Sequence, residues 1–91
     1  MIVFDPAKDE ANVAKHGVSL ALAAEMLIDE AIVVADDRRD YGEDRFRAYG
    51  RIGGDWHCFV FTLRGTDLRA ISLRRARQKE IRRHAAQKQR P

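Results

Sequence analysis

The order of hydrophobic and polar residues predicts a short strand and two helices at the start of the chain. The apolar run 2–4 is followed by Asp5-Pro6, a pair typical of a helix start. Asp can cap free N–H groups, and Pro loses no hydrogen bond at the first helical position. Gly17 is suited to the left-handed turn that ends a helix. Ser19 can cap a second helix that runs to about Asp29. Its apolar residues cover most of its circumference, so we expect this helix to be largely buried.

From residue 31 onward the hydrophobic period changes from helical to alternating, which predicts strands. The predicted strands are residues 31–35, 45–52, 56–64 and 68–73. Tight turns at 53–55 and 65–67 require antiparallel neighbours. Residues 74–89 lack Gly and Pro, which predicts a basic C-terminal helix lightly docked on the sheet. We therefore expect one α+β domain over residues 1–91, with a short N-terminal strand and two helices packed on an antiparallel β-meander.

Composition and charge narrow the class of protein. Cys58 is the only cysteine of the 91 residues, so no internal disulfide can form, and this fits a reducing compartment. With no signal peptide or membrane-spanning run visible, we expect a cytoplasmic protein that does not enter a membrane. Residues 1–63 carry a net charge of −5 and residues 64–91 carry +8, within a total of +3. The basic end suggests a docking surface for a polyanion or an acidic protein. The alternative is a solvated helix whose arginines serve only solubility.

The first helix carries one candidate site. Lys8, Asn12, Lys15 and His16 fall at i, i+4, i+7 and i+8, which places all four on one helical face. Amines can offset phosphate charge, and an imidazole can move a proton near neutral pH, so this face is suited to a phosphodiester. The alternative is a solvated face with a histidine that complements the helix dipole. Four apolar residues on the opposite side are expected to pack: Ala7, Ala11, Val13 and Ala14.

The predicted sheet carries a second candidate site, made of arginines. Tyr49 is flanked by arginines on one strand face, and further arginines lie on or beside the next two strands. These are Arg45, Arg47, Arg51, Arg64, Arg69 and Arg74. Aromatic rings and guanidinium planes together can stack single-stranded bases and hold phosphates. The solvent-facing half of an antiparallel sheet would also be polar, so that alternative stays open.

The histidines do not favour a metal site. His16, His57 and His84 lie on three different elements, and no Cys/His pair has zinc-ligand spacing. We therefore expect no metal and no cofactor. A metal-free ribonuclease needs a group to deprotonate the 2′-OH, a group to protonate the leaving oxygen, and cations around the phosphate. The sequence supplies His, Lys, Arg and Tyr for these roles.

Several stretches of the chain resemble the BrnT family of toxins, from about residue 4 to residue 83. They are Phe4-Asp5-Pro6-x-Lys8, Asn12-x-x-Lys15-His16-Gly17-Val18-Ser19, Glu43-x-Arg45, Gly50, Phe61-Thr62-x-Arg64, and Arg69-x-Ile71-Ser72-x-Arg74-Arg75-Ala76 with Glu80. The resemblance implies a RelE-like fold, RNA cleavage that blocks translation, and neutralisation by a BrnA-like ribbon–helix–helix antitoxin. It also implies a toxin–antitoxin heterotetramer that contacts promoter DNA through the antitoxin.

The resemblance assigns roles to particular residues. His16 would transfer protons, with Lys8 and Lys15 supplying positive charge and Asn12 orienting a phosphate or the imidazole. The scissile phosphate and its neighbours would be held by Arg64, Arg69 and Arg74. Together with the two candidate sites described above, this leads us to expect further RNA contacts from Asn12, Arg45, Arg47, Tyr49, Arg74 and Arg75. The antitoxin would bind at Ile81, Arg82 and Arg83.

Two other functions remain open from the sequence. One is a nucleic-acid-binding module without catalysis, which would use the same arginines but no proton-transfer pair. The other is an interaction protein whose basic C-terminal helix docks on an acidic partner. In that case Arg82, Arg83, Lys88 and Arg90 would form the interface.

Overall fold

The computed structural model describes the backbone of residues 1–88 and the side chains of residues 1–84. Arg90 and the side chain of Lys88, which the sequence places at a partner interface, lie outside this description. The elements in chain order are β1 (Ile2–Val3), α1 (Pro6–His16), two 3-10 helices (Leu20–Glu25 and Ile28–Glu30), β2 (Ile32–Ala35), β3 (Phe46–Ile52), β4 (Asp55–Arg64), β5 (Asp67–Arg75) and α2 (Gln78–Lys88). None of the helices in residues 1–88 is both long and apolar enough to cross a membrane.

The strands form one five-stranded sheet in the order β1-β5-β4-β3-β2. Strands β2 to β5 are the predicted antiparallel meander, and β1 adds to it in parallel beside β5. The predicted α+β class is confirmed. Because β1 pairs only with Leu68 and Arg69, the rest of β5 has no strand partner on that side. This open edge positions the candidate site.

The two faces of the sheet bury different residues. Ala48, Phe59 and Leu73 share one face, and residues of the first 3-10 helix pack against them. Tyr49 and Cys58 point to the opposite face, as the alternation requires. A sheet that is covered on both faces leaves less open polar surface than the sequence suggests.

Helix α1 has the predicted bounds but packs through the other face. The Asp5 carboxylate accepts the Ala7 N–H at 2.8 Å, and Gly17 ends the helix at φ 75° with its N–H donated to Val13 O. The expected packing of Ala7, Ala11, Val13 and Ala14 is wrong, because all four are exposed. Asn12 is the buried residue of this helix instead. The polar face lies against the sheet because the open edge of β5 offers backbone groups that an amide can bond.

The second predicted helix is replaced by the two 3-10 helices. Its start is held by Asp9, whose carboxylate accepts Ser19 Oγ at 2.9 Å and Leu20 N at 2.7 Å. The helical path stops where the Leu27 N–H is donated to Arg51 O at 3.1 Å instead of to a helical carbonyl. Leu20, Ala23 and Met26 are buried, whereas Leu27 and Ile28 are about half exposed. The expectation that this segment is largely buried therefore holds only for its first part.

The C-terminal segment begins as a strand rather than a helix. Strand β5 runs to Arg75, and the Ala76 N–H still bonds Trp56 O at 2.9 Å. Helix α2 begins only at Gln78. The expectation of a lightly docked helix is wrong, since His84 is buried and stacks on Tyr49 with ring centroids 4.5 Å apart. An aromatic contact of this kind fixes the helix over the second face of the sheet.

Candidate functional site

A shallow groove of about 210 Å³ lies between α1 and the open edge of β5. We call it the His16 groove. Its lining residues are Lys8, Ala11, Asn12, Lys15, His16, Ile71 and Ser72. The four polar residues that the sequence places on one face of the first helix are therefore brought together. Because Lys8 and Lys15 are exposed and His16 is half-buried, their charged and titratable ends are accessible from solvent.

Asn12 builds the groove but has no amide hydrogen left for a ligand. Its Nδ2 donates to Val18 O and to Leu73 O, both at 2.8 Å, and its Oδ1 accepts the Leu73 N–H at 3.1 Å. The predicted contact of Asn12 with a phosphate would need a free donor, and both of its donors bond backbone carbonyls. Its geometry supports a structural function, which is to tie α1 to β5.

Burial and nearby positive charges lower the pKa of the His16 imidazole. Partial burial is the largest cause that lowers its pKa below 6.5, followed by the positive charges of Lys15 and Arg74. Each of these effects disfavours the imidazolium form. The lowered pKa favours the neutral imidazole, which is the form that can accept a proton.

Arg74 leads from the groove to a network beneath α2. Its guanidinium holds the Glu80 carboxylate with two hydrogen bonds, NH1 to Oε1 at 2.7 Å and NH2 to Oε2 at 2.8 Å. Glu80 also accepts the Tyr49 hydroxyl at 3.2 Å, and that hydroxyl accepts Arg47 NH1 at 3.0 Å. Arg74 is the main cause that lowers the pKa of Glu80 to about 2. We call Arg47, Tyr49, Arg74 and Glu80 the α2 network.

Tyr49 is placed inside the protein rather than on an RNA-binding surface. Its side chain is fully buried beneath His84, and burial raises the pKa of its hydroxyl to about 12. The strand alternation that groups Tyr49 with Arg45 and Arg47 is correct. In this structure the ring has no free face, because α2 covers it. The predicted stacking of bases on Tyr49 does not fit this placement.

The comparison with known protein families found a match. A family model described as the ribonuclease toxin BrnT of type II toxin–antitoxin systems matches residues 4–80. The chain belongs to the BrnT family. The match includes every residue that lines the His16 groove and ends at Glu80. No curated protein is similar enough to the chain to add a second comparison.

Membership of the BrnT family establishes the general activity. The chain is a ribonuclease toxin of a type II toxin–antitoxin system, so its substrate is RNA and its partner is a protein antitoxin. The structure gives the position of each described residue that the sequence predicts to be functional.

Three nominated arginines are held by partners outside the groove. Arg45 pairs with Glu43 at 3.3 Å, and its guanidinium lies 4.0 Å above the ring of Tyr41. The Arg47 Nε lies 3.7 Å from the buried carboxylate of Asp36. Arg75 pairs with Asp55 at 3.3 Å. These contacts explain how the arginines are oriented, and they leave each of the predicted RNA contacts as a prediction.

Arg64 and Arg69 lie on the sheet beyond the groove. Arg64 ends β4, and Arg69 is opposite Thr62 on β5. Neither is among the residues that line the groove. The structure therefore joins His16, Lys8 and Lys15 in one groove and does not bring these two arginines into its lining.

The nominated antitoxin residues lie on α2. Arg82 and Arg83 are exposed, whereas Ile81 is half-buried and lines a cleft with Trp56 and Arg75. The outer side of α2 is thus basic, while Glu80 and His84 face the sheet.

Ser72 and Glu80 belong to the site in the structure, although the sequence patterns did not indicate them as site residues. Both belong to the stretches that resemble the family, and this was the available signal. Ser72 lines the groove from β5, and Glu80 holds Arg74. In the part of the chain that the structure describes, no three His, Cys, Asp or Glu side chains come together as a metal site would need.

Proposed function

We propose that the His16 groove is where this BrnT toxin cleaves RNA, by acid–base chemistry that needs no metal ion. The observation that supports this most is the placement of a half-buried imidazole of lowered pKa beside Lys8 and Lys15. A neutral imidazole can accept a proton, and ammonium groups can stabilise the charge that builds up on phosphate. Ser72 adds a hydroxyl that can bond a phosphate oxygen.

The proposed reaction is attack by the RNA's own 2′-oxygen. His16 takes the 2′-OH proton as the 2′-oxygen forms a bond to phosphorus. The bond from phosphorus to the 5′-oxygen breaks, and an ammonium group of Lys8 or Lys15 gives that oxygen a proton. The products are a 2′,3′-cyclic phosphate and a 5′-hydroxyl end. Arg64, Arg69, Arg74 and Arg75 would bind the flanking phosphates as the strand leaves the groove.

The proposal extends to the cell and to the partner. Cleavage of RNA that is being translated would arrest protein synthesis. A BrnA-like ribbon–helix–helix antitoxin would neutralise the toxin by binding Ile81, Arg82 and Arg83, and the exposed positive charge of α2 supports an acidic partner surface there. The pair would form a heterotetramer that contacts promoter DNA through the antitoxin.

The test replaces His16 with Gln in the full-length chain. Gln keeps hydrogen-bonding groups but cannot transfer a proton near neutral pH, so cleavage of a labelled RNA should fall by on the order of 10²- to 10⁴-fold. The matched control is Glu10→Gln, an exposed change on the same helix outside the groove, which should cleave at the unmodified rate. A folded His16→Gln protein that cleaves as fast as the control would refute the proposal.

A further inference from the structure

We propose that Glu80 is a positioning residue for the cleavage reaction. Glu80 holds the Arg74 guanidinium beside the His16 groove, so that α2 supports the site. This rests on the proposed function of the groove.

Glu80 holds Arg74 in a fixed orientation. Each carboxylate oxygen accepts one guanidinium nitrogen, at 2.7 and 2.8 Å, which is the two-point geometry that defines the plane of an arginine. Glu80 is itself fixed, because Oε1 accepts the Arg77 N–H at 3.0 Å and Oε2 accepts the Tyr49 hydroxyl at 3.2 Å. Arg side chains have many rotamers, so this clamp selects one of them.

Arg74 lies next to the groove along β5. Its neighbour Leu73 is bonded at both backbone groups by Asn12, and Ser72 lines the groove. His16 follows Asn12 by one helical turn on the same face of α1. The Arg74 charge accordingly acts on the imidazole. Among the residues that the structure describes, the other charged side chains that line the groove with His16 are Lys8 and Lys15, both from α1.

Arg74 keeps donors that RNA could use. A guanidinium has five N–H donors. Glu80 takes one hydrogen from each terminal nitrogen, and Arg75 O takes a second from NH1 at 3.2 Å. Among the described residues, Nε–H and one hydrogen of NH2 bond no acceptor. The side chain is 26% exposed, and in this proposal its two remaining donors bind a phosphate in or beside the groove.

Two simpler explanations of the ion pair predict different results. If Glu80 only neutralises Arg74, removing its charge would leave the arginine in place with its full positive field on His16. If Glu80 only anchors α2, its loss would lower stability and leave His16 unaffected. Positioning predicts a third result, because a released guanidinium would swing away from the groove into solvent.

The experiment follows the C–H resonances of the His16 imidazole by NMR as pH changes, in the full-length protein. Arg74→Ala should raise the pKa of His16, because a repelling charge is removed. Glu80→Gln should raise it in the same direction and slow RNA cleavage by on the order of 10- to 100-fold at saturating RNA. Glu25→Gln, an exposed glutamate at the end of the first 3-10 helix, is the matched control and should change neither quantity.

Two results would overturn the inference. A lower pKa of His16 in Glu80→Gln would mean that Arg74 stays in place and that Glu80 only balances its charge. An unchanged pKa and rate would mean that Glu80 only anchors the helix.

If Glu80→Gln does not fold, Arg74→Lys takes its place, since it keeps the charge but not the two-point contact and should slow cleavage likewise. A rate for Arg74→Lys equal to that of the control would refute positioning. His16→Gln, measured alongside, tests the proposed function separately, because Arg74 can be held in place whether or not His16 is catalytic.

Discussion

The side chain of Asn12 bonds both backbone groups of Leu73, accepting its N–H at 3.1 Å and donating to its carbonyl at 2.8 Å. This is the pattern that a neighbouring strand would provide. Strand β1 stops pairing at Arg69, so the amide of α1 replaces a strand at the open edge of β5. Because His16 lies one helical turn after Asn12, the same contact places His16 at the edge of the sheet. The position of His16 in the structure thus depends on the bonds that Asn12 makes to the backbone of β5.

We predict that Asn12→Ala destabilises the protein strongly. The change leaves the Leu73 N–H and C=O without partners in a buried place, and each such group costs about 1–3 kcal/mol. The free energy of unfolding, measured with urea, should therefore fall by roughly 2–4 kcal/mol relative to Glu10→Gln, an exposed change on the same helix that hardly alters helix propensity. A loss equal to that of the control would show that the two bonds contribute nothing.

Much of the fold follows from local sequence signals, and the errors have identifiable causes. The bounds of α1 are encoded by Asp5 and Gly17, and the meander by the alternation and its glycine turns. The packing face of α1 could not be predicted from its apolar residues. It is decided by a bond from Asn12 to a strand 61 positions away, and helical periodicity carries no information about such a partner.

Only the part of the candidate site that depends on local spacing could be predicted from the sequence. A helical face is a local property, so the grouping of Lys8, Lys15 and His16 could be inferred from spacing alone. Burial of Tyr49 could not, because it depends on α2 folding back over the sheet. The sequence indicated only that the last helix is basic, and a single acidic residue within it, Glu80, provides the contact with Arg74.

We predict that Tyr49→Phe leaves RNA binding almost unchanged. The ring is covered by His84 and cannot stack on a base, and Phe keeps that ring contact. Loss of the hydroxyl removes its bonds with Glu80 and Arg47, which should lower the free energy of unfolding by about 1 kcal/mol. A large loss of RNA affinity in a protein of normal stability would instead support the stacking function.

The pH dependence of cleavage should report the lowered pKa of His16. A general base must be unprotonated, so activity should rise with pH and reach half its maximum below pH 6.5, the ordinary value for histidine. Lys15→Ala removes one of the charges that lower this pKa and should move the midpoint upward. Single-turnover rates between pH 4.5 and 8 measure both. A midpoint above 6.5, or a downward shift in Lys15→Ala, would contradict this assignment.

The Arg74–Glu80 ion pair should make the free energy of unfolding depend on pH in the acidic range. The folded-state pKa of Glu80 is depressed to about 2 from 4.5, so its contribution is complete above pH 4.5 and is lost as pH falls toward 2. The unmodified protein should therefore be more stable than Glu80→Gln at pH 6, and this difference should shrink at pH 3. Urea unfolding at the two pH values measures it. A difference that stays constant with pH would show that the carboxylate charge does not stabilise the fold.

The most direct test of the central claim examines the ends of the cleaved RNA. Purified full-length toxin is incubated with a labelled RNA in EDTA, beside a matched sample of His16→Gln, and the products are analysed by mass spectrometry. The proposed chemistry predicts fragments with 2′,3′-cyclic phosphate and 5′-hydroxyl ends from the unmodified protein and almost none from the variant. Loss of cleavage in EDTA with recovery on adding Mg²⁺, or fragments that end in 3′-hydroxyl groups, would contradict it.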